Sequence, residues 1–331
     1  MTKQDIIKIY QQLGVELSNV DEFLIHKANT HNQWFTPENI MTAINHWAKT
    51  LTSEHVSLWL SDYQTQVSDK KVGIIMAGNI PLVGLHDLLC VVASGKTAVI
   101  KPSSQDEVLI KHIVMLLQTI DDRLINKIII TESLKGIDFL IATGSNNSAR
   151  YFEYYFKEIP KIIRKNRTSV AVLTGNETEN ELTALADDIY TYFGLGCRNV
   201  THLLLPKDFQ LKRLYEAYDK YIDIVHHNKY YNNYMYHKSI LLMNLTKHYD
   251  NGFMLFQEKE EPHAPIATLN YHYYNDIEDA KAYINQHEEL WQCVVCHKKI
   301  NEEVIPFGKS QQPNLWDYAD NVNVLDFLNT I

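Results

Sequence analysis

From residue 72 onward, short runs of branched and small apolar residues alternate with helical stretches, and this rhythm limits the chain to few folds. The runs are Val72-Gly73-Ile74-Ile75-Met76, Thr97-Ala98-Val99-Ile100, Lys127-Ile128-Ile129-Ile130, Asp138-Phe139-Leu140-Ile141-Ala142 and Ser169-Val170-Ala171-Val172-Leu173. None alternates apolar with polar, so each reads as a strand buried on both faces. Strands of that kind, separated by helices, predict a parallel sheet covered on both sides. Ligands of such sheets bind beyond the C-terminal strand ends. Asn79, Lys101 and the turn Thr143-Gly144-Ser145 fall at those ends.

A chain of 331 residues is long enough for two domains. Residues 1–67 read as a helical N-terminal segment. Thr36-Pro37-Glu38 places an N-cap before a proline at the first helical position, and Ile40, Ile44, Trp47 and Leu51 follow one helix face. Residues 68–180 read as a cofactor-binding α/β domain, with helices expected over 82–93 and 107–119. Residues 181–300 read as a second α/β domain, with a strand at 266–269 and a helix at 277–286, and 301–331 as a C-terminal segment.

Composition excludes several roles. A net charge of −9 argues against a general nucleic-acid surface. The longest apolar stretch, 82–92, is broken by Gly84, His86 and Asp87, so no membrane span is expected. Residues 1–12 carry no apolar leader segment, and four cysteines are too few for a disulfide framework. A cytoplasmic protein is expected. The twenty tyrosines and fifteen histidines concentrate in 226–237, which reads as a half-exposed helix and loop, with an aromatic substrate wall or metal site as the alternatives.

One cysteine stands apart. Cys197 sits in Gly194-Leu195-Gly196-Cys197-Arg198-Asn199, ahead of Leu203-Leu204-Leu205-Pro206. Small neighbours leave room for a carbonyl carbon to approach the sulfur. Other motif-like strings fail on context. Gly95-Lys96-Thr97 leads from helix to strand, the reverse of a phosphate-binding loop. Cys293-Val294-Val295-Cys296-His297 has the haem-attachment spacing but lies in an apolar strand, and no second Cys/His pair with zinc spacing accompanies it, so no metal is expected. A G-x-G-x-x-G fingerprint is absent.

Read together, Ala77-Gly78-Asn79-Ile80-Pro81, Gly95 to Ser104, Thr143-Gly144-Ser145 with Arg150, Gly194-Leu195-Gly196-Cys197, Glu261-Pro262-His263-Ala264-Pro265-Ile266 and Pro306-Phe307-Gly308 resemble the ordered motifs of the aldehyde dehydrogenase superfamily over about residues 70–310. Phe35-Thr36-Pro37-Glu38-Asn39 and 312–320 resemble its LuxC-like acyl-CoA reductase branch, in particular the short bacterial members. The resemblance implies an α/β, aldehyde-dehydrogenase-like fold of two α/β domains, with a parallel Rossmann-like sheet and a helical N-terminal segment. It implies Cys197 as nucleophile, with its own backbone N–H and the Asn79 amide as oxyanion donors. Lys101 would hold the adenosine ribose or its 2′-phosphate. Gly144, Ser145 and the following helix would receive the pyrophosphate, and Glu261 the nicotinamide ribose.

Two departures from the family pattern carry information. Ser104 stands where NAD-preferring members often have a glutamate, which favours NADPH over NADH. The stretch Ile163-Arg164-Lys165-Asn166-Arg167 lacks the glutamate base that hydrolytic members use to activate water. Without that base a thiol acceptor replaces water. The expected activity is NADPH-dependent reduction of an acyl-CoA or acyl-protein thioester to an aldehyde. The superfamily's usual homodimer is compatible with the chain. The alternatives are another aldehyde or semialdehyde dehydrogenase, and a non-catalytic binding relative.

Overall fold

The computed structural model describes residues 1–63, 68–300 and 304–329. The chain divides into two compact units, Met1–Asn166 with Asn314–Ile331, and Arg167–Pro313. The tails of the expected end segments, 64–67, 301–303 and 330–331, lie outside the described residues.

The first unit opens with helices α1 (Lys3–Leu17), α2 (Glu22–His31), α3 (Pro37–Thr50) and α4 (Ser53–Trp59). Thr2 and Asp5 close a capping box on α1, and the Thr36 hydroxyl accepts the Asn39 N–H at the start of α3. The chain then alternates through β1 (Lys71–Ile75), α5 (Leu85–Ala93), β2 (Thr97–Lys101), α6 (Glu107–Ile120), β3 (Ile128–Ile130), β4 (Phe139–Thr143), α7 (Asn146–Tyr155) and β5 (Lys161–Arg164). The sheet order is β3-β2-β1-β4-β5, with every pairing parallel. Strand order therefore reverses between β1 and β4, the place where such sheets bind ligands.

Helix α5 begins three residues later than expected. Leu82 takes a left-handed φ of 59° and donates its N–H to Asp106 Oδ2 at 2.8 Å, which holds the loop after β1 out of the helix. Asp106 is itself buried, and burial raises its carboxyl well above the usual range.

The second unit contains β6 (Thr168–Val172), α8 (Glu179–Tyr190), β7 (Val200–Pro206), α9 (Lys212–Tyr218), α10 (Asn228–Met243), β8 (Tyr249–Asp250), β9 (Leu255–Glu258), β10 (Thr268–Tyr274), α11 (Ile277–Gln286), β11 (Trp291–Val295) and β12 (Val304–Ile305). Its sheet runs β12-β11-β6-β7-β10-β9-β8, parallel throughout except for the β8–β9 pair. Successive residues bury on opposite faces. Ala171, Leu203 and Leu205 join one core, Val170, Val172 and Leu204 the other. Strand β10 starts only at Thr268 because Ala267 sits at φ 61°.

Helix α12 (Val324–Asn329) returns to the first unit. Leu325 and Leu328 share one core with Ile6, Ile40, Val72 and Ile100. Tyr10 donates to the Leu89 carbonyl at 2.5 Å, Trp59 Nε1 to the Tyr318 hydroxyl at 2.8 Å, and the buried Lys96 ammonium to the Leu328 carbonyl at 2.6 Å. The boundaries drawn from sequence differ from this division. The described residues 1–63 and 314–329 belong to the first unit instead of standing apart. Strand β6 lies between β7 and β11 in the second sheet, so the division falls at 166/167, not at 180/181.

Candidate active site

The turn carrying Cys197 is held by its neighbours' backbone. Tyr192, Phe193 and Gly194 adopt left-handed φ values of 56°, 58° and 75° in succession. Two such non-glycine residues are strained and persist only where packing fixes them. Tyr192 and Phe193 are buried, and the Phe193 ring lies against His227 and Tyr230. Asn199 completes the lock. Its fully buried amide accepts the Gly196 N–H at 2.8 Å and donates to the carbonyls of Asp188, Ile189 and Thr191 at 3.1, 3.2 and 2.8 Å. Cys197 itself stays half-buried. Its carbonyl accepts from Ser169 Oγ on β6 at 3.0 Å, and Ser169 Oγ lies 2.9 Å from Cys293 Sγ. Since the serine hydroxyl donates to the carbonyl, the Cys293 thiol supplies the other proton. Burial pushes that thiol up to about 11, with Arg198 opposing the shift. Cys293 therefore stays protonated and buried, while Cys197 is the thiol on the open turn.

Helix α8 connects this turn to the segment 306–310. Asp188 accepts the Gly308 and Ser310 N–H groups at 2.7 and 2.9 Å, one on each oxygen. Burial raises its carboxyl to about 6 against these hydrogen bonds.

The loop with Glu261 is anchored by its backbone. Its carbonyl accepts from His202 Nδ1 at 2.9 Å and Asn270 Nδ2 at 2.8 Å, and Thr201 Oγ1 donates to the Pro262 carbonyl at 3.0 Å. A carbonyl only accepts, so the His202 proton sits on Nδ1, and Nε2 accepts from His272 Nδ1 at 2.8 Å. Burial and the neighbouring His272 push His202 down to about 3, which keeps it neutral. The Glu261 carboxylate is exposed and pairs with Lys259 at 2.5 Å.

In the first unit, the expected cofactor residues gather at the C-terminal strand ends. Asn79 follows β1, Lys101 ends β2, and Gly144 and Ser145 follow β4. The loops after β1 and β2 are in close contact. A Cβ added at Gly78 would stand 2.5 Å from Ser103 Oγ, so only glycine fits. Ser145 is the N-cap of α7 and accepts the Ser148 N–H at 3.2 Å, leaving that helix N-terminus exposed. The exposed Ser104 uses its carbonyl to accept from His31 Nε2 at 2.6 Å. A lysine at one strand end and a capped, exposed helix start at another are the donors a dinucleotide's ribose and pyrophosphate need. Cys197 and Glu261 belong to the second unit, Asn79, Lys101, Ser104, Gly144 and Ser145 to the first.

Sequence reasoning passed over one residue here. Glu132, just beyond β3, accepts from Lys101 Nζ through its carbonyl at 3.3 Å and brings its exposed carboxylate within 3.9 Å. Its separation of 31 residues from the lysine hides the pair; only the β2–β3 pairing brings them together. In the stretch 161–167, Arg164 is buried and grips Asp87 bidentately at 2.5 and 2.9 Å. The carboxylate beside this stretch is thus bound to a guanidinium.

No family model matches the sequence, and neither does any curated protein. Solved structures do. A benzaldehyde dehydrogenase from Corynebacterium glutamicum is similar at a TM-score of 0.68 and 11% identity, over 91% of this chain and 77% of its own. The fold is that of the aldehyde dehydrogenases. Aldehyde dehydrogenase C from Pseudomonas syringae, solved with NAD+ and octanal, gives 0.65 at 12% identity, over 89% and 71%. A Mycobacterium tuberculosis aldehyde dehydrogenase with bound NAD+ gives 0.64 at 13%, over 89% and 72%.

The remaining sequence signals have structural roles. Lys96 of the Gly95-Lys96-Thr97 string is buried against Leu328. In the tyrosine-rich tract, Tyr230 donates to the Phe253 carbonyl and Tyr234 to Asp250. The space beside Tyr230 and Phe193 is about 20 Å³, room for roughly one water. Among the described residues, no group of three or more His, Cys, Asp or Glu could hold a metal ion, and no helix is long and apolar enough to cross a membrane.

Proposed function

We propose that the protein reduces an acyl thioester, carried by CoA or an acyl protein, to the aldehyde, as the resemblance to the LuxC-like branch implies. The observation that carries the reading is Cys197 on a turn fixed by Asn199, half-open while the other three cysteines are buried. The Cys197 thiolate attacks the thioester carbonyl, and the carbon–sulfur bond to the donor thiol breaks, leaving an acyl-enzyme thioester. Its backbone N–H would stabilise the oxyanion, with the Asn79 amide in the role that the resemblance gives it. A nicotinamide dinucleotide, when bound, would supply the hydride that reduces the acyl carbon. Cys197 then leaves as thiolate and the aldehyde departs, the donor thiol having taken up one proton. Water competes poorly for the acyl group because the stretch 163–167 has no carboxylate and the nearby Asp87 is held by Arg164.

Lys101, Ser104, Gly144 and Ser145 would hold the adenosine and pyrophosphate half, and Glu261 the nicotinamide ribose. NADPH is the proposed donor, NADH the poorer one, on the ground of Lys101 and Ser104; Glu132 works against that preference. The homodimer would have an apolar surface at the end of α10, where Leu242, Met243 and Leu245 are exposed. The test is acyl-CoA-dependent NADPH oxidation. Cys197→Ser should lower the rate by about 10³-fold or more, and a variant at full rate would end the assignment. Oxidation of free aldehydes is the second reading, favoured by a neighbour solved with NAD+ and octanal. An aldehyde oxidised without CoA as fast as the thioester is reduced would select it.

A further inference from the structure

At the opposite end of the second sheet from Cys197 lies a polar cavity of about 460 Å³. Cys197 precedes the N-terminus of β7, whereas the cavity opens beyond its C-terminus, about 20 Å away at the usual strand rise. It is lined at the strand ends by Asn176 after β6, by Lys207, Asp208 and Gln210 after β7, by Asn275 after β10, and by Arg213 of α9. The helix after β7 packs into one core and the helix after β10 into the other, so the chain leaves these two neighbouring strands towards opposite faces. A crevice at such a divergence is where parallel sheets accept ligands.

Arg213 gives the cavity its chemistry. Its Nη1 donates to the Gly175 carbonyl at 3.1 Å, its Nη2 to the Glu177 carbonyl, and its guanidinium stacks on Phe209 at 5.3 Å. These contacts fix its plane, use two of its five donors and supply no counter-charge. The nearest candidate for a counter-ion is engaged elsewhere. The buried Glu177 carboxylate accepts from the Thr174 and Gly175 N–H groups and lies 3.1 Å from His297 Nδ1. Among the described residues, neither Arg213 nor Lys207 has a carboxylate at ion-pair distance. Two cations face one carboxylate, Asp208, within a wall of side-chain amides.

We propose that this cavity is a binding site for a small ligand bearing an oxyanion, phosphate ester or carboxylate. Arg213 and Lys207 would hold the anion, and Asn176, Gln210 and Asn275 the neutral polar part. Arg–oxyanion pairs of fixed geometry are the strong form of such recognition. The site stands independently of the thioester chemistry.

The test is equilibrium dialysis of the full chain with radiolabelled inorganic phosphate and, separately, acetate, at ionic strength held constant with chloride. One saturable site per chain is expected for at least one anion. Phosphate alone would indicate a phosphate ester, acetate alone a carboxylate. Lys207→Glu, an exposed change, should weaken it about tenfold, and Arg213→Met should abolish it. Lys111→Met, an exposed change in the other unit, should leave it intact. Absence of saturable binding of either anion, or binding that survives Lys207→Glu unchanged, would overturn the proposal whether or not Arg213→Met folds.

Discussion

Asn199 shows how much of the candidate site rests on one uncharged side chain. It makes four hydrogen bonds to backbone groups, three of them buried and the one to the Thr191 carbonyl part-buried. Asn199→Leu would leave three carbonyls and one N–H unpaired. A loss of about 3–5 kcal/mol in unfolding free energy is expected by chemical denaturation, together with loss of thioester reduction, and a variant of normal stability would refute this role. At Lys101 the expected outcome concerns choice of cofactor. Glu132→Gln removes a carboxylate 3.9 Å from the ammonium and should raise the kcat/KM ratio of NADPH to NADH; an unchanged ratio would mean that Glu132 does not face the ribose. Cys197 stands out in the sequence because glycines flank it, and its place on a half-buried turn is what the structure adds. Asn199 was visible as a neighbour but not as a lock, because its partners lie 8 to 11 residues upstream. Glu132 was hidden because a strand pairing, not chain proximity, makes the contact.

Helix α8 couples packing to pH. Asp188 has its folded carboxyl raised to about 6 from 3.8, so the folded chain keeps a proton that the unfolded chain gives up between those values. The resulting stability is complete below about pH 4 and is lost as pH rises through 6. The gap corresponds to about 3 kcal/mol. Unfolding free energies measured from pH 4 to 7.5 should show wild type losing about that amount relative to Asp188→Asn; parallel profiles would contradict it. At this scale the capped helices were readable, since Thr36 with Pro37 marks α3 and the span of α11 matches its expected bounds. The late starts of α5 and β10 were not readable, because Leu82 and Ala267 take left-handed conformations that neighbours impose and no residue type announces.

For the whole molecule, the alternation of buried strands with helices was enough to read a parallel α/β fold. It was not enough to assign each strand to its sheet. Strand β6 has the same apolar texture as β1, yet its partners β7 and β11 come later in the chain. The N- and C-terminal segments looked separate because their contacts, Trp59 with Tyr318 and Lys96 with Leu328, span more than 230 residues. The order of motifs along the chain carried the functional reading, and the proposed task of Cys197 is to hold an acyl group. The most direct measurement is mass spectrometry of the protein after incubation with acyl-CoA and no reductant. An acyl adduct on Cys197, discharged as aldehyde when NADPH is added, is the expected result. No adduct, or one that persists in Cys197→Ser, would contradict it.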